Sequence, residues 1–135
     1  MVSKYRRKAM KIKTLFIINA VVALVFGLAF VFLPVQTLSL YGSDPVGGQF
    51  KFVGQLFGSS LVMVSLISWA ARHSIDSNAR NAIVFGFFVG DAIGFLIALI
   101  NQISGVVNAM GWSTVIIYLL LAAGFGYYHF TKSGE

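Results

Sequence analysis

The chain has four acidic residues among 135, and one of them, Asp91, stands alone inside a long apolar stretch with no Lys or Arg at its depth. In a helix rising 1.5 Å per residue, Asp91 lies about 15 Å from either end of that stretch, near the middle of a bilayer. A carboxylate there costs roughly 2.5–3.5 kcal/mol even on the lenient insertion scale, so it must face a bundle interior or a wet cavity. Two chemistries fit: a ligand or proton site, or a protonated carboxyl that hydrogen-bonds between helices. Depth alone selects Ser59, Ser60 and Tyr118 as its possible neighbours; Asn19 lies nearer one face and Gln55 nearer the other.

Few other residues offer chemistry. His73 and His129 end two apolar stretches on the same side, where a bis-histidine metal or haem site can be drawn, although capping and solvation are the ordinary uses of such residues. No metal or cofactor is expected. The absence of cysteine excludes disulfides, thiolate metal sites and thiol nucleophiles. Neither a phosphate loop, a nucleophile elbow, a zinc-binding helix nor a dinucleotide turn is present, and Gly86-Phe-Phe-Val-Gly90 reads as helix packing. One intramembrane carboxylate without a second acid or activated nucleophile is too little for most reactions, so no catalytic residue is assigned and an enzyme is not expected.

The elements that must position Asp91 are helices in a membrane. Hydrophobic residues make up 58% of the chain, charged ones 10%, and the mean hydropathy is +0.85, far from soluble globular averages. Four stretches have the roughly 20 residues needed to cross a hydrocarbon core: Thr14–Leu33, Phe52–Ala71, Asn81–Ile100 and Ala109–Phe130. The expected fold is therefore all-α, a single domain over residues 1–135 forming a four-helix transmembrane bundle. Pro34 should stop the first helix. Leu38, Leu40 and Tyr41 suit a short segment in the interface, and Ser43, Asp44, Pro45, Gly47 and Gly48 a tight turn. Asp76, Ser77 and Asn78 are N-cap candidates for the third helix.

The net charge of +6 does not point to nucleic acid, because the basic residues flank apolar stretches instead of lining a polar face. Lys4, Arg6, Arg7, Lys8, Lys11 and Lys13 precede the first helix, Arg72 and Arg80 lie in the second connection and Lys132 in the tail; only Lys51 is on the other side. Positive loops stay in the cytoplasm, so both termini are expected inside a multi-pass cell-membrane protein. Trp69 and Trp112 fall near opposite interfaces. The basic arm, residues 1–13, should contact anionic inner-leaflet lipids at about 1 kcal/mol per nearby charge.

Gly86, Gly90, Gly94 and Ala98 recur every four residues along the third helix, a smooth row that admits another helix closely. Gly54 and Gly58 make a smaller version on the second. Such rows serve packing within the bundle or a seam between copies. The abundant phenylalanines either fill the bundle or line a cavity for a flat apolar molecule.

Leu15-Phe-Ile-Ile-Asn19-Ala20, the Pro34 stop with Leu38-Ser-Leu-Tyr41-Gly42, Gly58, Val89-Gly90-Asp91-Ala92 and Asn108-Ala-Met-Gly111-Trp112 together resemble a widespread, mostly prokaryotic family of small four-helix membrane proteins classed as a domain of unknown function. The resemblance spans about Lys13 to Tyr128. It implies a four-helix bundle with Asp91 in the shared pattern, and no established activity. The functional expectation is a non-enzymatic accessory or structural subunit, assembling with copies of itself or a larger membrane complex. The alternative is a module that binds or transports a small lipophilic ligand, a cation or protons at Asp91.

Overall fold

The computed structural model describes residues 2–42, 48–74 and 76–131, and side chains from Ile12 onward. These residues form α1 (Val2–Phe32), α2 (Pro34–Ser39), α3 (Gly48–Ala71), α4 (Ser77–Ile103) and α5 (Gly111–Thr131), with no strand among them. Ile12–Phe32 of α1, and α3, α4 and α5, are long and apolar enough to cross a membrane. The fold is the expected all-α architecture with four long apolar helices.

The boundaries differ from the apolar stretches for local reasons. α1 begins at Val2, because no glycine or proline interrupts the basic arm and Lys, Arg, Ala and Met are good helix formers. The arm side chains expected to meet lipid, Lys4, Arg6, Arg7, Lys8 and Lys11, lie outside the described residues, while Lys13 is exposed. Pro34 separates α1 from α2 and opens the latter, where its missing N–H leaves no hydrogen bond unmade. The short segment expected after Pro34 is α2; of the expected turn, residues 43–47 lie outside the described residues and Gly48 already belongs to α3. α4 starts earlier than its apolar stretch, at Ser77, because the Asp76 carboxylate accepts hydrogen bonds from the Asn78 and Ala79 N–H groups at 2.9 and 3.4 Å.

Two antiparallel helix pairs make up the protein, α1 with α3 and α4 with α5. The α1–α3 seam is built on small residues. A Cβ at Gly58 would sit 2.8 Å from the Gly27 carbonyl oxygen, the Phe30 Cβ and the Val31 nitrogen, so the two backbones cross there in direct contact. Gly54 faces Pro34, Leu38 and Phe30. About two and three turns on from Gly58, Ser65 and Ser68 donate to the Ala20 and Phe16 carbonyls at 2.6 and 2.7 Å, and Asn19 Nδ2 donates to Ser68 Oγ at 3.3 Å. Gln55 closes the other end on the Val31 carbonyl at 3.1 Å. Each bond satisfies a polar group that lipid cannot.

The α4–α5 seam alternates glycine against a large side chain. Tyr118 lies on Gly94, Phe88 on Gly126, and Gln102 on Gly111. The two pairs then meet at both ends. At the end carrying the chain termini, Ile12, Phe16, Ala71, Val84, Leu121, Phe125 and Tyr128 form the buried core. Rings of Phe16, Phe87 and Phe125 stand there with centroids 5.2 to 6.4 Å apart. At the opposite, loop end, the Asn108 N–H donates to the Tyr41 carbonyl at 3.1 Å and Asn108 Nδ2 to the Leu40 carbonyl at 3.1 Å. Gly42, at φ 83°, takes the left-handed conformation that brings its backbone against Asn108.

Candidate functional site

An α-helix advances about 100° per residue, so residues eleven apart return to the same face within roughly 20° and lie about 16 Å apart along the axis. α4 carries Arg80, Asp91 and Gln102 at that interval. All three are partly buried on its inward face. Asp91 Oδ2, Gln102 Oε1 and Arg80 Nε are buried side-chain atoms with no hydrogen-bond partner among the described residues. In most proteins such atoms are paired, so a face collecting three of them calls for an explanation.

The surroundings of Asp91 differ above and below. Toward the terminal end, one turn away, Phe87 packs on Phe16 and Phe125, both fully buried. Toward the loop end the neighbours are polar. Tyr118 lies against Gly94, three residues along α4 from Asp91. One turn from Tyr118 on α5, Thr114 Oγ1 shares a hydrogen bond of 2.8 Å with the Tyr41 hydroxyl. Gln102 donates through Nε2 to the Asn108 carbonyl at 3.2 Å, which leaves its Oε1 unpartnered. Carboxylate, phenols, hydroxyl and amide oxygen thus follow one another from mid-helix to the loop end.

Of the expected neighbours, Tyr118 packs on Gly94, about one turn from Asp91 on α4, while Ser59 and Ser60 lie apart. Both serines are exposed and return their hydroxyls to the Leu56 carbonyl of their own helix, at 2.8 and 3.1 Å. The buried face of α3 is set by Gly54, Gly58, Ser65 and Ser68, and Ser59 and Ser60 lie roughly 100° and 200° around the helix from Gly58. The residues missed at this site are Tyr41, Thr114 and Gln102. The spacing of Arg80, Asp91 and Gln102 and the pair Thr114–Tyr118 were the signals that could have found Gln102 and Thr114; nothing local points to Tyr41.

The glycine row of α4 also divides. Gly94 packs on Tyr118 and Ala98 is partly buried, but Gly86 and Gly90 have open space where a Cβ would go. Steps of four residues turn about 40° each, so the row drifts by roughly 120° from Gly86 to Ala98 and leaves the seam. Gly54 and Gly58 both pack within the chain, as described for the α1–α3 seam.

The two histidines stay separate in character. His129 is surrounded by the rings of Phe85, Phe88 and Phe130 at 4.9 to 6.3 Å. His73 is exposed, and the Arg72 guanidinium, with smaller contributions from desolvation and Lys13, holds its imidazole below the ordinary value of 6.5. No group of three or more metal-ligating side chains occurs among the described residues. Arg72 itself folds over the Trp69 ring at 3.6 Å and donates to the Trp69 carbonyl.

A family model described as a domain of unknown function (DUF8292) matches residues 2–129, and the chain belongs to that family. No match was found among curated proteins or among solved structures.

Proposed function

We propose that this member of an uncharacterised family is a non-enzymatic, multi-pass protein of the cell membrane that binds a proton or a small monovalent cation at Asp91. The supporting observation is the Asp91 carboxylate, partly buried at mid-span with Oδ2 unpartnered and no cationic side chain paired with it among the described residues. A lone carboxylate at that depth is stabilised by a bound positive charge, and Tyr118 beside it, with Tyr41 and Thr114 farther toward the loop end, offers oxygen of the kind hard cations take. Lys13, Arg72 and Arg80 at the terminal end support a cytoplasmic placement of both termini, with anionic lipid against the basic arm.

Dicyclohexylcarbodiimide, which adds to protonated carboxyls in apolar surroundings, tests this. In the purified protein it should modify Asp91, as located by peptide mass spectrometry. For a cation site, sodium chloride should slow the reaction several-fold relative to choline chloride; for a proton site, the rate should follow pH and ignore sodium. Absence of modification at Asp91, or a rate indifferent to both, would overturn the reading.

A second reading rests on the open space at Gly86 and Gly90, which share an exposed face of α4 with Ile93 and Ile97. That face admits a helix from another copy or another subunit, as the glycine row suggests. Under it, Gly90→Leu lowers the native mass in mild detergent and Asp91→Asn does not; an unchanged mass would remove it.

A further inference from the structure

We infer that the ligand of Asp91 is a singly charged cation that enters from the loop end, along the oxygen-lined junction between the two helix pairs, with the Tyr41–Thr114 hydrogen bond as its outer closure. This deepens the reading of Asp91 as a cation or proton site and rests on it.

The argument comes from the asymmetry of the α4 face. Of the three unpartnered atoms on it, the two at and beyond mid-helix, Asp91 Oδ2 and Gln102 Oε1, are acceptors, and the one at the terminal end, Arg80 Nε, is a donor on a permanent cation. Acceptors without donors suit a positively charged visitor. A guanidinium at the other end repels one, and between it and Asp91 the Phe16, Phe87 and Phe125 rings close the interior. The helix dipole has the same sense, since the N-terminus of α4 is positive and its C-terminus, near Gln102, negative. The path from the loop end is built of Gln102, Thr114, Tyr41 and Tyr118 in turn, and at its mouth two pieces of chain are held by the hydrogen bonds of Asn108 to Leu40 and Tyr41.

Because the chain has no cysteine, single thiols can be placed without a background. Lys51→Cys and Asn78→Cys, both at exposed positions, identify the loop and terminal sides in reconstituted vesicles. Thr114→Cys should then react with membrane-impermeant methanethiosulfonates from the loop side. The cationic ethyltrimethylammonium reagent should react about tenfold faster than the anionic ethylsulfonate, each rate taken relative to a free thiol in solution, as a negative charge roughly 10 Å away would produce. Asp91→Asn in the same background should erase that preference, and Tyr41→Phe paired with Tyr118→Cys, which lies inside the closure, should raise the rate. Reaction from the terminal side, reaction from neither side, or equal rates for the two reagents with Asp91 intact would overturn the route. If sodium or pH still governs carbodiimide modification of Asp91 in that case, the site stands and only the route fails.

Discussion

Adding a single methyl group at Gly58 is expected to separate α1 from α3, whereas the same addition at Gly90 is expected to stabilise the chain. The Gly58→Ala Cβ would lie 2.8 Å from Gly27 oxygen, Phe30 Cβ and Val31 nitrogen, two of them backbone atoms that no rotamer change can move. Restoring ordinary contact requires the helices to part by about 0.5 Å, and a gap of that size forfeits a quarter or more of each contact along the seam. In lipid, such contacts are a main source of helix association. Overpacking costs roughly 1–3 kcal/mol, offset by about 1 kcal/mol from the better helix propensity of alanine. At Gly90 nothing lies within 4 Å, so only the gain remains. The two variants should therefore differ by about 2 kcal/mol in opposite directions from the parent. Reversible unfolding in mixed micelles with increasing sodium dodecyl sulfate, followed by circular dichroism, measures both. A Gly58→Ala variant stabilised as much as Gly90→Ala would refute the close crossing. A destabilised Gly90→Ala would show that the exposed face of α4 is covered by another helix in the assembled protein.

Ser68→Ala should cost about 0.6–1.7 kcal/mol in the same assay, because it removes the bond to the Phe16 carbonyl and strands the Asn19 amide; Ser60→Ala, whose hydroxyl only returns to its own helix, should change stability far less. Asp76→Ala should cost about 1 kcal/mol through loss of the α4 cap, and amide exchange at Asn78 and Ala79 should rise.

The sequence made the spans legible because length and apolarity are sufficient for that, and it also made Pro34, Asp76 and the isolated depth of Asp91 legible. It did not reveal which side of each helix faces inward. In a soluble protein the inward side is the apolar one, but here Ile93, Ile97 and Leu120 on the exposed surface are as apolar as the core. Depth therefore proposed Ser59 and Ser60 beside Asp91, while rotation about the helix axis turned them away. The glycine row divides for the related reason that a four-residue interval drifts around a straight helix, so Gly94 packs in the seam while Gly86 and Gly90 face outward. Tyr41 reaches the site from the short chain after α2, a long-range placement that no local pattern encodes.

The central claim is tested most directly by thermal unfolding of the reconstituted protein in sodium, lithium and choline chlorides at matched ionic strength and several pH values, with Asp91→Asn alongside. A ligand at a hundredfold its Kd contributes about 2.7 kcal/mol. The account predicts that one cation, or protons, raises the unfolding temperature of the parent by several degrees and leaves Asp91→Asn unmoved. Identical shifts in the parent and in Asp91→Asn would contradict it.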